Sequence, residues 1–268
     1  ERKRQRVIEV SVAAVPYSVD PGAVSRGRYL FETRGCANCH GVDGAGRVFE
    51  NNSRGIRLAG PNLTPTGVVA AYTERDWVRS IRHGVAPNGR PLRVMPSEDF
   101  NRFTDDDVAA LVAYMRNLPP ANGGSAIIEL PWIANVAYGF GLFPDAASRI
   151  DHSLPPARTV PEGITAEYGA YVASMCVGCH GTDLAGGRIR SGPPDWPPAA
   201  RLAPGDGSVM VRYPDAEALM RLFKTGTRPD GSKVAVMSFE SLAKFSETDV
   251  RALYLHLKNL PTPTPSRR

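Results

Sequence analysis

The pentapeptide Cys36-Ala37-Asn38-Cys39-His40 recurs as Cys176-Val177-Gly178-Cys179-His180, and the two copies use every cysteine in the 268-residue chain. Two residues separate the thiols of each pair, about one helical turn, and a histidine follows at once. Other uses of paired cysteines fit this pattern poorly. A dithiol-exchange motif belongs in a βαβ pattern, which is absent. A zinc site needs four ligands, and each cluster offers three close in sequence. Plain disulfides are the third alternative. Duplication of the whole string, histidine included, weighs against all three.

C-x-x-C-H is the attachment signal for c-type haem. Two thiols one turn apart can add to the two vinyl groups on one porphyrin edge. The next residue then lies beneath the ring, where its imidazole can take the iron. That imidazole must bind neutral, and its other ring N–H needs a carbonyl partner. The reading is therefore two covalently attached haems, held by Cys36, Cys39, Cys176 and Cys179, with His40 and His180 on the irons.

A shift of 142 residues superimposes the halves in three places. Gly27-Arg28-Tyr29-Leu30 falls on Gly169-Ala170-Tyr171-Val172. The stretch from Arg79 to Met95 falls on Arg221 to Met237, matching Gly84 with Gly226, Pro87 with Pro229 and Gly89 with Gly231. Asn117-Leu118-Pro119 falls on Asn259-Leu260-Pro261. The cysteines match at 140, because the first half carries two extra residues before Cys36. A period of this size is a duplicated domain, since solenoid periods run about 20–50 residues.

The matched methionines supply the candidate second iron ligands. Met95 lies 55 residues after His40 and Met237 lies 57 after His180, each in a Val-Met segment beyond a Pro/Gly-rich loop. A soft thioether there favours Fe(II), and His/Met ligation raises the reduction potential. The bland alternative is that both are core gap-fillers. Met115, Met175 and Met220 fit that alternative, lying in predicted helices. Met210 is a rival ligand whose counterpart, Val68, cannot ligate. His83, His152 and His256 have no histidine counterparts in the repeat and are read as ordinary side chains.

Each half reads as three main helices. The first runs over about 26–35 and again 165–175. The second starts at Thr73, with Asp76 three residues on, and at Asp215. The third starts at Thr104 and at Ser246, with Asp107 and Asp249 three residues on. Val108, Leu111, Val112 and Met115, like Val250, Leu253, Tyr254 and Leu257, recur at i, i+3, i+4, i+7 on one face. About 100 residues with three helices bury little apolar area, so such a domain needs a staple, here the cofactor. Trp77 reads as packing on the first porphyrin or as ordinary core.

These features resemble tandem class I c-type cytochromes over about residues 22–262. The resemblance implies an all-α chain of two cytochrome c-like domains: an extension 1–21, domain 22–120, a Pro/Gly-rich linker 121–162, domain 163–262 and a tail 263–268. It implies that the first and last helices of each half cross near the haem edge, which the small Gly27 and Gly169 permit. Pro61 resembles the family proline whose carbonyl positions the haem histidine. The second half departs here, offering Pro193, Pro194, Pro197 and Pro198 without a means of choosing.

The implied function is electron carriage between redox partners outside the cytoplasm: a dehydrogenase, a respiratory or photosynthetic complex, or a terminal oxidase. Both irons being filled by protein, chemistry at the metal is disfavoured. The alternative is a haem enzyme with one open or labile axial site, of di-haem peroxidase or sulfur-compound oxidase type. Haem attachment implies a periplasmic or otherwise extracytoplasmic protein. The basic N-terminus suits anchoring to the inner membrane by a preceding segment and contact with anionic headgroups. Nucleic acid is excluded as a partner. The formal net charge is +5, and residues 1–6 with Arg267 and Arg268 carry that whole excess, leaving a neutral folded body without a basic face. Residues 126–143 are apolar but broken by Glu129, Pro131 and Asn135, too interrupted to span a bilayer. They read as a short helix or strap on the protein, or as a surface for a membrane or partner.

Overall fold

The computed structural model describes residues 6–189, 192 and 195–261. Most of the extension's basic cluster, the C-terminal tail, Pro193 and Pro194 lie outside the described residues. The chain divides into two compact units, Glu1–Ala157 and Arg158–Arg268.

The first unit opens with α1 (Pro21–Thr33), which begins five residues before the expected start at Arg26. Asp20 explains the difference: its side chain accepts from the Ala23 N–H, and Pro21 takes the first helical position, where a missing N–H costs nothing. The short α2 (Cys36–His40) carries the first pentapeptide. Next come α3 (Glu74–His83) and α4 (Asp105–Arg116). Thr73 and Asp76 close a reciprocal capping box on α3. On α4 the Thr104 hydroxyl accepts from the Asp107 N–H, while the Asp107 carboxylate takes the Arg26 guanidinium of α1 at 3.0 Å. Leu30, Phe31, Val78, Val108, Leu111 and Val112 are buried in one core, with Met115 beside them.

The all-α expectation needs one amendment. Three short strands, β1 (Arg47–Asn51), β2 (Arg57–Gly60) and β3 (Ile127–Glu129), form an antiparallel sheet in that order. Val48 pairs with Ala59, and Leu58 with Ile128. The chain after α4 is thus packed into the first unit. Asn62 Nδ2 donates to the Ala121 carbonyl at 2.8 Å, and a Cβ on Gly123 would stand 1.9 Å from the Ala45 carbonyl oxygen. Beyond β3 lies α5 (Trp132–Gly139). The stretch 126–143 is therefore a strand and a helix.

The second unit repeats the helical frame without a sheet among its described residues. It contains α6 (Ala166–Ala173), a 3-10 turn Ser174–Cys176, α7 (Val177–His180) with the second histidine, α8 (Ala216–Thr225), α9 (Phe239–Leu242) and α10 (Glu247–Asn259). Thr165, Asp215 and Ser246 cap α6, α8 and α10. Tyr168, Val172, Leu219, Leu222, Val250 and Leu253 lie in its core. Among the described residues no helix is long and apolar enough to cross a membrane.

α1 crosses α4 in the first unit, and α6 crosses α10 in the second. A Cβ on Gly27 would lie 1.9 Å from the Ala110 carbonyl oxygen, and one on Gly169 would lie 1.9 Å from that of Ala252. Only hydrogen at these positions lets the backbones meet.

Candidate haem-binding sites

Each pentapeptide ends on its histidine because glycine follows. Gly41 and Gly181 take φ of +78° and +82°, and their N–H groups close the last turn onto the Ala37 and Val177 carbonyls. The chain then loops back, Gly46 N–H donating to the His40 carbonyl and Gly186 N–H to the His180 carbonyl, both at 2.8 Å.

The returning segment aims each imidazole. His40 Nδ1 lies 3.0 Å from the Pro61 carbonyl oxygen. A carbonyl only accepts, so Nδ1 bears the proton and Nε2 keeps its lone pair. The sheet makes this contact, since β2 ends at Gly60, where a Cβ would meet the Cys39 carbonyl at 2.2 Å and His40 Nδ1 at 3.2 Å. In the second unit His180 Nδ1 lies 2.7 Å from the Ala200 carbonyl oxygen. Neither Pro197 nor Pro198 supplies it, and Pro193 and Pro194 lie outside the described residues.

Burial holds both imidazoles below the ordinary histidine range, against the opposing pull of the carbonyl bond, so they stay neutral. Burial also pushes the Cys36 thiol up to about 12, with Cys39 adding to it, and raises Cys39. Dithiol-exchange motifs show the opposite, a depressed thiol. The raised thiols do not match an exchange catalyst.

The remaining candidates gather on the same two cores. Cys36 and Met95 both pack on the flank of the first core, and Cys176 and Met237 on the flank of the second. Both methionines are half-buried. Each is followed by a similar turn, Ser97 N–H donating to the Met95 carbonyl at 2.9 Å and Phe239 N–H to that of Met237 at 3.0 Å. Met115 and Met210 are buried, each 4% exposed. Trp77 is 3% exposed, and its indole Nε1 is buried with no acceptor among the described residues. Such an orphaned donor calls for a polar partner outside the chain. Thiol pair, neutral imidazole with free Nε2, flanking thioether and orphaned donor together fit a covalent haem c in the first unit. All but the tryptophan recur in the second.

Residues 24–119 match the family model for cytochrome c, and a cytochrome c domain implies covalently bound haem c. Similarity extends over nearly the whole chain. It is 28% identical over 275 residues to a fructose dehydrogenase cytochrome subunit of Gluconobacter japonicus, covering 94% of this chain and 55% of that protein. It is 27% identical over 277 residues to the cytochrome c subunit of a quinone alcohol dehydrogenase of Gluconacetobacter polyoxogenes, covering 92% and 58%. A shorter match, 31% over 114 residues, is to the cbb3-type cytochrome c oxidase subunit CcoP of Helicobacter pylori (strain 52), covering 42% and 34%. The chain spans about half the length of the dehydrogenase subunits it matches.

Two features of the sites escaped the sequence reading. One is Ala200 as the partner of His180. The other is the tie between first and last helices, Arg26 to Asp107 in one unit and Tyr168 Oη to Asp249 at 2.8 Å in the other. The shift of 142 relates these two pairs.

Proposed function

We propose that this chain is a di-haem electron carrier acting outside the cytoplasm as part of a dehydrogenase assembly. One haem c would sit on residues 22–120, attached to Cys36 and Cys39 and ligated by His40 and Met95. The other would sit on residues 163–262, attached to Cys176 and Cys179 and ligated by His180 and Met237. The bound irons supply one-electron Fe(II)/Fe(III) exchange. The protein's part is to hold each imidazole in one tautomer, to offer sulfur from the other side and to surround the site with an apolar core.

The observation that carries this reading is the repeated geometry. In each unit the histidine Nδ1–H is tied to a backbone carbonyl of the returning segment, and a cysteine and a methionine flank one core. The names of its relatives support a place between a sugar or alcohol dehydrogenase and an onward acceptor such as a terminal oxidase. A carrier filled on both iron faces needs no substrate site of its own.

The test is spectroscopic. Pyridine haemochrome and intact mass should give two haems per chain. The near-infrared methionine–Fe(III) band should have the intensity of two centres. A single haem, or the band at half intensity together with peroxide turnover, overturns the proposal in favour of an enzyme with an open site.

A further inference from the structure

The loops that lead to the two methionines share one turn and differ in what holds it. Residues 84–95 and 226–237 correspond at the shift of 142. In the first loop the Ala86 N–H donates to the Arg90 carbonyl and the Gly89 N–H to the Ala86 carbonyl, both at 2.8 Å. In the second the Arg228 N–H donates to the Ser232 carbonyl at 2.8 Å and the Gly231 N–H to the Arg228 carbonyl at 2.9 Å. Outside the turn the likeness ends. The Ile8 N–H donates to the Gly89 carbonyl at 2.8 Å, and a Cβ on Gly89 would lie 2.6 Å from Val7 Cγ1. A Cβ on Gly231 would meet no described atom within 4 Å, and Pro229 to Lys233 are exposed throughout.

Two differences between the repeats account for this. Val85 is 0% exposed and packs with Val10 and Ala147, whereas its counterpart is Thr227, which needs no apolar cover. Arg93 donates to Asn135 of α5 at 3.2 Å and lies 4.5 Å from the Tyr138 ring centroid, whereas its counterpart is the exposed Ala235. Tyr138 donates to the buried Asp145 at 2.7 Å, and Asp145 pairs with Arg6. The arm, the loop and the α5 segment thus hold one another: Ile8 to Gly89, Arg93 to Tyr138, and Asp145 back to Arg6. Opening the first loop must break contacts with two other segments before its thioether can leave. The free energy of local opening rises with such contacts.

We propose that the N-terminal arm, through Ile8 and Val10, and α5, through Asn135 and Tyr138, clamp the 84–95 loop, so that Met95 is the firmly held iron ligand and Met237 the exchangeable one. The proposal rests on the reading of both methionines as ligands. The four clamp residues act through the loop, as positioning residues. The consequence is an order of access, in which a small ligand such as cyanide reaches the second iron first.

The test is cyanide binding to the ferric, fully haem-loaded chain, followed in the Soret band with cyanide in excess. Cyanide displaces the thioether without a change of oxidation state. Two phases are expected, that of the first haem slower by about tenfold or more. Met95→Ala and Met237→Ala assign them, because each variant opens one site in advance and speeds its phase. Val10→Ala and, separately, Arg93→Ala should speed the slow phase about fivefold or more and leave the fast phase as in the parent chain. Arg93 is half-buried on the loop surface, so its variant gives the readout should Val10→Ala fold poorly. A role in packing alone would lower melting without moving the cyanide rate. Equal rates in the parent chain, or a first haem that binds faster, overturn the proposal. So does a slow phase that Met95→Ala shifts and both clamp variants leave unmoved, and the ligation reading then stands. A slow phase unmoved by Met95→Ala, or a fast phase unmoved by Met237→Ala, removes the ligation reading and the proposal with it.

Discussion

Gly27 passes the Ala110 carbonyl so closely that a methyl group in place of its hydrogen would stand 1.9 Å from that oxygen, and Gly169 repeats the relationship at Ala252. The obstacle is backbone on the opposing helix, which no rotamer change relieves. Gly27→Ala or Gly169→Ala must therefore prise α1 from α4 or α6 from α10. The expected cost is about 3 kcal/mol or more, at the upper end of overpacking effects. Urea melting followed by helical circular dichroism reads it directly. A variant melting with the parent chain would show that the crossing has more slack than this geometry allows.

The two crossings are tied by different chemistry. Arg26 meets Asp107 as an ion pair, with the arginine side chain 27% exposed. In the same register Tyr168 donates to Asp249, which is 0% exposed. Removing a donor from a buried carboxylate costs more than removing a partly solvated ion-pair partner. Tyr168→Phe should destabilise by about 1.5–3 kcal/mol and Arg26→Gln by about 1 kcal/mol or less. Equal melting shifts would mean that burial does not rank the two ties.

Legibility in the sequence followed the range of the interactions. The caps at Thr73, Thr104, Asp215 and Ser246 were readable because a cap is settled within four residues. So were the apolar faces of α4 and α10, which need only a helical period. The repeat carried the rest: Gly27 predicts Gly169. The sheet is not legible because β3 pairs with β2 across about 70 residues, and Ile127 to Glu129 is too short to show alternation. α1 starts earlier than its apolar period suggests because Asp20-Pro21 forms the cap. Ala200 was obscured by the nearby prolines, although the cysteine register of 140 carries Pro61 to Arg201, one residue beyond it. A carbonyl acceptor belongs to every residue, so side-chain identity could not single it out.

Met95 and Met237 make the proposed ligation separable from packing. Both are half-buried at the flank of a core, whereas Met115 is 4% exposed inside one. Met95→Ala should lower the potential of the first haem and let cyanide or carbon monoxide bind there, with stability reduced by less than the ~2–5 kcal/mol of a core Met→Ala change. Met115→Ala should do the reverse, lowering stability and leaving ligand exclusion intact. Potentiometric titration with carbon monoxide difference spectra distinguishes the two. Unchanged ligand binding in Met95→Ala would remove that residue from the iron.

His83 and His152 give the first unit an acid-sensitive joint outside its pentapeptide. Their Nδ1 atoms lie 3.0 Å apart, and His152 Nε2 donates to the Ala147 carbonyl at 2.9 Å. A neutral His152 thus offers a lone pair at Nδ1, and His83 donates to it. Burial pushes His83 down to about 4, with His152, Arg82 and Arg79 adding repulsion. Unfolded, the same group titrates near the ordinary value of about 6.5. Between those values the unfolded chain holds the extra proton, so stability is full above about pH 6.5 and is lost as pH falls towards 4. The loss amounts to about 2–3 kcal/mol. Asp105 pairs with Arg82 at 2.7 Å. Urea melts at pH 7.5, 5.5 and 4.5 should show the decline. His83→Gln should flatten it, because glutamine keeps a donor for His152 and cannot take up the proton. A variant with the same pH slope as the parent chain would assign the acid sensitivity to other groups.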